Sequence, residues 1–261
     1  MPTDIINLMP DRVRSIRAEA IVLRHSEMGE ADRLLWLYTR QRGKVRAIAK
    51  GVRKIRSRKA GHLEPFTCVR LQLARGRNLL IITQAETINA YLTVREDLTR
   101  LGYAAYAVEL LDRFTYDEDE NRGLYQLLAD TLSRLNTEPD PLIPVRYYEI
   151  RILDLLGYRP QLFNCLQCES EIKPEDQYFS VEQGGVLCPR CGKRTQEARL
   201  ITMPALKILR HYQRSSYEDA KRAPLTPITN QEIEILVQHY ITYLLERGLN
   251  TPAFLRRIRN T

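Results

Sequence analysis

Four cysteines in two C-x-x-C pairs are the residues of this chain whose spacing is most typical of site chemistry. Cys165 and Cys168 form the first pair, and Cys188 and Cys191 form the second pair nineteen residues later. Two such pairs on short turns can supply four thiolates to one tetrahedral Zn²⁺, which leaves no coordination position for a substrate. The spacing therefore predicts one structural zinc ion.

Two other interpretations of the cysteines are weaker. A redox site needs only one C-x-x-C pair, placed at the start of a helix that follows a strand. A DNA-reading finger would be basic, but residues 169–182 carry Glu169, Glu171, Glu175, Asp176 and Glu182. The fifth cysteine, Cys68, falls in a predicted strand and is expected to be a small buried hydrophobe.

Cationic side chains form the second group that could bind a ligand. Residues 43–61 hold eight Lys and Arg and no acidic residue: Lys44, Arg46, Lys50, Arg53, Lys54, Arg56, Arg58 and Lys59. Such a charge density favours a polyanionic partner, because phosphate contacts release condensed counterions. We therefore predict that these eight residues bind DNA. The alternative is a solvated charged loop.

The charge of the whole chain is distributed unevenly. Residues 1–90 contain 18 Lys and Arg against 8 Asp and Glu, whereas residues 91–261 contain 22 against 24. The basic residues are mostly Arg, whose planar guanidinium suits phosphate. This asymmetry indicates a basic module that meets a polyanion and a second, nearly neutral module.

Short runs of alternating hydrophobicity position the cationic residues. They predict strands at residues 18–24, 32–39, 44–50, 67–74 and 78–86, with Val69, Leu71 and Leu73 on one face. Five strands with one long connection suggest an OB-fold β-barrel over residues 1–90, and an SH3-like barrel fits nearly as well. Trp36 and Tyr38 share a face of the second strand and could stack on bases, as could Phe66. We expect Trp36 and Phe66 to belong to the barrel core instead.

From residue 91 the hydrophobic period becomes helical. Helices are predicted at residues 95–117, 120–135, 145–160, 203–214, 229–248 and 251–259. The fifth should open with a Thr229/Glu232 capping box. The cysteine segment, residues 162–196, interrupts this helical bundle. The fold class is thus α+β, with a barrel followed by a helical domain over residues 91–261 that carries a zinc-binding insert.

Other features of the sequence argue against catalysis and against a membrane location. No phosphate-binding glycine loop is present, and the four histidines lack metal-ligand spacing. No segment approaches the roughly 18 apolar residues of a membrane helix. The start of the chain lacks the apolar run of a secretory signal. We expect a cytoplasmic protein that is not an enzyme and has no small-molecule substrate.

Several stretches resemble the bacterial RecO family. They are GEADRL at 29–34, T-x-x-x-GK at 39–44, AKGVR at 49–53, LEPF at 63–66, ITQAE at 82–86 and YAVELLDRFTYDEDENRGLYQLLADTLSRL at 106–135. The four-cysteine insert is similar to that of zinc-carrying members. The resemblance covers nearly the whole chain after residues 1–15, which look like an unshared extension.

The resemblance implies a DNA repair and recombination mediator that acts near the nucleoid. Such a protein binds single- and double-stranded DNA and anneals complementary strands. It contacts the C-terminal tail of single-stranded DNA-binding protein and, with RecR, helps RecA load onto coated DNA. The alternative from another class is a zinc-containing adaptor linked to transcription. A nuclease or thiol oxidoreductase is the third hypothesis.

Overall fold

The computed structural model describes residues 15–259, so the extension predicted at residues 1–15 lies outside the described residues except for its last position. The described chain divides into two compact units. The barrel unit contains residues up to 90 together with the short segment 117–121. The helical unit contains residues 91–116 and 122 onward.

Five strands form a closed barrel in the barrel unit. They are β1 (Ile16–Met28), β2 (Asp32–Thr39), β3 (Gly43–Ala49), β4 (Cys68–Arg75) and β5 (Leu80–Asn89). Their order is β1-β2-β3-β5-β4, and β4 pairs with β1 to close the barrel. Strands β3 and β5 are parallel, and the other neighbours are antiparallel. This is the OB-fold order, which confirms the predicted barrel and excludes the SH3-like alternative.

The barrel core follows from the alternation of apolar residues along each strand. On β4, Val69, Leu71 and Leu73 are all buried, as their spacing predicts. The connection between β3 and β4 adds Val52 and Leu63, which are also buried. The rest of the core comes from the other strands: Ala18, Ala20, Val22, Leu35, Leu37, Val45, Ala47, Ala49 and Ile82.

Two aromatic residues expected in this core lie outside it. Leu35 and Leu37 on β2 point inward and are 0% exposed, so the period of two places Trp36 on the outer face. Trp36 is half-buried there. Phe66 is also half-buried and has a φ of 68° at the end of the β3–β4 connection. The expectation that Trp36 and Phe66 belong to the barrel core is therefore wrong.

The helical unit is built from helices of 4 to 19 residues. They are α1 (Leu92–Glu96), α2 (Leu98–Phe114), α3 (Arg122–Thr137), α4 (Leu142–Leu155), α5 (Pro189–Gly192), α6 (Met203–Arg214), α7 (Tyr217–Ala220), α8 (Pro227–Leu245) and α9 (Thr251–Arg259). Among residues 15–259, no helix is long and apolar enough to cross a membrane.

Capping residues explain where the observed helices differ from the predicted ones. The helix predicted at 95–117 is divided at Asp97, whose carboxylate accepts a hydrogen bond from the N–H of Arg100 and caps α2. Helix α8 begins earlier than predicted because Thr226 is its N-cap. The prediction of a Thr229/Glu232 capping box is wrong, because Glu232 accepts hydrogen bonds from the backbone N–H and hydroxyl of Thr202 instead.

The cysteine segment lies between α4 and α6 and contains a small sheet. Strands β6 (Gln177–Ser180) and β7 (Gly185–Leu187) form the hairpin expected between the two cysteine pairs. Strand β8 (Arg199–Ile201) pairs with the other edge of β6.

A buried ion-pair network joins three helices of the helical unit. The guanidinium of Arg146 on α4 lies 2.6 Å from Oε2 of Glu149 and 3.0 Å from Oε2 of Glu234 on α8. The hydroxyl of Tyr106 on α2 donates to Glu149 over 2.6 Å. Arg146 and Glu149 are essentially fully buried. Burial raises the pKa of Tyr106, and the neighbouring Glu149 carboxylate adds to that effect.

Candidate nucleic-acid interface and metal centre

Residues 50–59, named here the basic loop, leave the end of β3 in a defined conformation. The carboxylate of Asp32 accepts the N–H of Gly51 over 2.7 Å, and the N–H of Arg53 donates to the carbonyl of Ala31 over 2.9 Å. Gly51 has a φ of +64°, which favours glycine over other residues. The backbone of the loop is therefore anchored to the β1–β2 turn and to the start of β2.

Six of the eight predicted DNA-binding residues are exposed, and four of these six lie away from acidic side chains. Within the part of the chain that the structure describes, Lys50, Lys54, Arg56 and Arg58 have no acidic partner within ion-pair distance. Between Lys54 and Arg56 stands Ile55, whose side chain is fully exposed. The loop therefore presents unneutralised positive charge to solvent.

The other four predicted residues already make contacts within the barrel unit. The ammonium of Lys59 donates to the carbonyls of Lys50 and Ile82, each over 3.1 Å. Arg53 pairs with Glu27 at 3.3 Å and reaches the carbonyl of Glu30. Lys44 on β3 is only 9% exposed.

The fourth, Arg46 on β3, contacts an acidic segment that sequence reasoning did not connect to the barrel. Arg46 lies 3.5 Å from Asp117, and the N–H of Glu118 donates to the carbonyl of Lys44 over 2.7 Å. Gly43 has a φ of +60°, and a Cβ there would collide with the carbonyl of Asp119. Residues 117–121 thus neutralise part of the cationic face of β3, and only their run of acids in the sequence could have indicated this.

The outer face of β2 carries a tryptophan between two arginines. Trp36 pairs across the sheet with Arg24 on β1 and with Arg46 on β3. The guanidinium carbon of Arg24 lies 3.6 Å from the centroid of the indole, within the range of a cation–π contact.

Two open grooves on the barrel unit are lined by arginines. The first, of about 470 Å³, lies between β3 and the β4–β5 hairpin and is lined by Arg42, Arg46, Arg75 and Arg77, with Asp117 on one wall. The second, of about 530 Å³, adjoins the basic loop along β4 and β5 and includes Arg17, Arg58 and Arg70. Glu86 also lines it and pairs with Arg70 at 3.3 Å. Arg17, Arg70, Arg75 and Arg77 are not among the predicted DNA-binding residues, because they lie outside the continuous basic run of residues 43–61.

The four cysteines of the two C-x-x-C pairs converge in the helical unit. All four sulfur atoms lie within 4.8 Å of one another, and the Sγ atoms of Cys168 and Cys188 are 3.8 Å apart. A tetrahedron with metal–sulfur bonds of ~2.3 Å has edges of about 3.8 Å, so this separation fits a shared metal ion. A redox pair would need only two of the four. The thiols can therefore hold one metal.

Hydrogen bonds favour the thiolate form that a metal needs at two of the four sulfurs, those of Cys165 and Cys168. The hydroxyl and N–H of Ser170 lower the pKa of Cys168 to about 6. Burial opposes ionisation of Cys165, but the backbone N–H groups of Cys188, Cys168 and Gln167 outweigh it and lower the pKa of Cys165. Burial and the neighbouring cysteine side chains instead raise the pKa of Cys191 to about 12, so the protein alone stabilises negative charge on part of the set.

Histidines do not contribute to this centre. His62 contacts the hydroxyl of Thr87 over 2.8 Å, and His25 lies 3.6 Å from Glu64 in the barrel unit. Across residues 15–259 the four cysteines are the one group of His, Cys, Asp and Glu placed to hold a metal.

Comparisons with known proteins agree over both units. Residues 13–91 match the family model described as Recombination protein O N terminal, and residues 95–253 match the model described as Recombination protein O C terminal. A DNA repair protein RecO from Roseiflexus sp. (strain RS-1) is 41% identical over 251 residues, covering 96% of this chain and 88% of that protein.

Two further relatives, also named DNA repair protein RecO, come from other bacteria. The protein of Dehalococcoides mccartyi (strain CBDB1) is 35% identical over 243 residues, covering 93% of this chain and 96% of its own length. That of Desulforamulus reducens (strain ATCC BAA-1160 / DSM 100696 / MI-1) is 36% identical over 247 residues, covering 93% and 94%.

Proposed function

The chain belongs to the RecO family of DNA repair proteins, and on that premise we propose that its barrel unit binds single- and double-stranded DNA and anneals complementary strands. The observation that supports this most directly is the basic loop, whose exposed cations include Lys50, Lys54, Arg56 and Arg58. The alternative adaptor, which would use the same loop to touch an acidic partner protein, predicts no acceleration of annealing.

Unpaired cations on an anchored loop suit a phosphate backbone. Each loop cation that contacts a phosphate releases a counterion. Each contact therefore adds ~0.7 for single strands, or ~0.9 for a duplex, to the slope with which log K falls as log salt rises. Because the loop is already fixed by Asp32 and Ala31, little ordering entropy opposes binding. Contacts of this kind position a nucleic acid and carry no sequence information.

The same charge supports annealing. Two complementary strands repel each other through their phosphates, and cations at the contact lower that repulsion. The basic loop and the adjoining groove, which share Arg58, give one extended cationic surface within the barrel unit. We propose that this non-sequence-specific neutralisation assists pairing without any covalent step, so the protein acts as a mediator and not as an enzyme.

We propose a structural Zn²⁺ as the metal of the four-cysteine centre. Cys165, Cys168, Cys188 and Cys191 supply a set of soft ligands at tetrahedral spacing. Four thiolates would complete the coordination of the ion. When bound, the ion would hold the segment with β6 and β7 in place and would supply folding free energy instead of a reaction centre.

The remaining partners are proposed from family membership. They are RecR, the C-terminal tail of single-stranded DNA-binding protein and RecA, which the protein would help to load on coated DNA at the nucleoid.

An annealing assay tests the DNA proposal. Wild type should accelerate pairing of two complementary oligonucleotides, both bare and coated with single-stranded DNA-binding protein. The variant Lys54→Gln/Arg56→Gln/Arg58→Gln should lose most of this acceleration. The matched control, Lys207→Gln/Arg247→Gln/Arg256→Gln, removes the same charge from exposed positions of the helical unit and should retain it. Equal losses in the two variants, or no acceleration by wild type, would refute the proposal.

A further inference from the structure

We propose that Trp36 is a base-stacking platform for single-stranded DNA on the outer face of β2, with Arg24 and Arg46 holding the adjacent phosphates. This inference rests on the proposed DNA binding and names the surface that distinguishes single strands from duplexes. The basic loop alone cannot make that distinction, since phosphates are present in both forms.

The position of Trp36 is the first argument. An indole is the largest apolar side chain, yet here it stands outside a filled barrel core in which Leu35 and Leu37 occupy the inward positions of the same strand. It packs on the sheet surface between cross-strand neighbours Arg24 and Arg46. The surface formed by strands 2 and 3 is where OB-folds hold oligonucleotides.

The contact with Arg24 is the second argument. The exposed guanidinium of Arg24 lies 3.6 Å from the indole centroid, in the place where a planar base would stack. An exposed cation–π contact contributes roughly a factor of two to five to an equilibrium constant. Stacking of a base on an aromatic side chain contributes roughly a factor of five to a hundred or more. A base can therefore displace the guanidinium of Arg24 from the face of the indole.

The third argument is the charge that surrounds the tryptophan. Arg46 is a neighbour of Trp36 and also lines the groove of about 470 Å³ to which the β4–β5 hairpin contributes Arg75 and Arg77. A cationic track beside an aromatic platform is the arrangement used to bind single strands without sequence preference. Asp117 contacts Arg46 at 3.5 Å, with both side chains half exposed, so a phosphate must compete with this carboxylate.

Fluorescence gives a direct test because Trp36 is the single tryptophan of the 261-residue chain. Stacking of a base on the indole quenches its emission. Titration of the full-length wild-type protein with oligo(dT) should quench emission along the same curve that fluorescence anisotropy of labelled oligo(dT) gives for binding. Blunt duplex DNA should bind with little quenching, because its bases are already stacked.

Variants test the energetic contribution. Trp36→Leu should weaken binding of oligo(dT) about tenfold and change duplex binding less than about twofold. Trp36→Phe, which keeps an aromatic ring, should restore most of the affinity. Tyr243→Leu is the control, since Tyr243 is an exposed aromatic residue of the helical unit, and it should change neither affinity.

The outcomes separate this inference from the function on which it rests. Anisotropy that reports oligo(dT) binding while tryptophan emission stays constant would overturn the platform and leave DNA binding intact. Equal losses for single strands and duplexes in Trp36→Leu would overturn it as well. If wild type shows no binding by anisotropy, both proposals fail. The titration uses wild-type protein, so it decides the question even if Trp36→Leu does not fold.

Discussion

Arg146 in the helical unit and Arg56 in the barrel unit carry the same group in opposite surroundings. Arg146 is buried and lies within 3.0 Å of carboxylates on two residues, Glu149 and Glu234. Arg56 is exposed on a loop, with no carboxylate within ion-pair distance among residues 15–259. One cation has its counter-charge inside the protein, and the other can obtain it only from outside.

This difference indicates that charged residues have different roles in the two units. The helical unit neutralises its buried charge within the fold and brings four thiols together. Loss of one member of either group would leave the remaining members without their partner. The barrel unit anchors its loop through the backbone and leaves the cations available. Substitutions in the helical unit should therefore change stability more than DNA affinity, and substitutions in the basic loop should do the reverse.

Loss of a cysteine ligand should have the largest effect. Cys165→Ser should abolish stoichiometric metal binding and lower the free energy of unfolding by ~5 kcal/mol or more, because metal binding to such sites contributes ~10–16 kcal/mol. Metal analysis and chemical denaturation measure the two effects. Cys68→Ala, in the barrel unit, is the control and should keep the metal. A Cys165→Ser protein with full metal content would break the assignment of the helical unit.

Removal of the buried arginine comes next. Arg146→Met leaves Glu149 buried without its cation and should destabilise the protein by about 3–5 kcal/mol. Arg222→Met, at an exposed pair with Asp219, should leave the free energy of unfolding nearly unchanged. Oligonucleotide affinity of folded Arg146→Met should equal that of wild type. A loss of affinity without a loss of stability would contradict the comparison.

Neutralising the basic loop should give the converse pattern. Lys54→Gln/Arg56→Gln/Arg58→Gln should weaken oligo(dT) binding roughly tenfold or more at 0.1 M salt through the loss of three phosphate contacts. Its melting temperature should stay close to that of wild type, since these side chains make no ion pair within the described chain. Anisotropy and thermal melts, with Lys207→Gln/Arg247→Gln/Arg256→Gln as the control, check both points.

The smallest effect is expected at Glu109, whose carboxylate accepts hydrogen bonds from backbone N–H groups at a helix start in the helical unit. These N–H groups belong to Asn250 and Thr251 at the start of α9. Burial opposes ionisation, but these bonds prevail and lower the pKa of Glu109. A lowered native pKa stabilises the fold above the unfolded value near 4.5, and the stabilisation is lost as pH falls through the native pKa.

Glu109→Gln should therefore cost ~1 kcal/mol in the free energy of unfolding at pH 7 and progressively less below pH ~4.5. Urea unfolding across this range measures the difference. Glu197→Gln, at an exposed position of the helical unit, serves as the control. A cost at Glu109 that does not change with pH would show that the charge of the carboxylate is irrelevant.

Local patterns predicted the barrel and the cysteine cluster. The alternation of apolar residues on β4 identified the side chains that point into the barrel, and the two C-x-x-C pairs implied that four sulfurs meet. Both patterns involve residues that are close together in the sequence. The face of Trp36 was not predictable in the same way. Leu35 and Trp36 are both apolar, so the pattern of β2 did not decide which of them points inward.

The ion pairs that the sequence did not predict join residues that are distant along the chain. Asp117 and Arg46 are separated by 71 residues, and Arg146 and Glu234 by 88. The hydrophobic period of a helix does not depend on these ion pairs, so it cannot indicate which charged residues meet. Only the packing of α2, α4 and α8, and the return of residues 117–121 to the barrel unit, bring them together.

The salt dependence of oligonucleotide binding tests the central claim most directly. The affinity of wild type for oligo(dT) should fall steeply with salt, and the slope of log K against log salt should decrease by about two in Lys54→Gln/Arg56→Gln/Arg58→Gln, since each phosphate contact contributes ~0.7. The helical-unit control should keep the wild-type slope. Identical slopes in all three proteins would contradict the claim that the basic loop meets the phosphates.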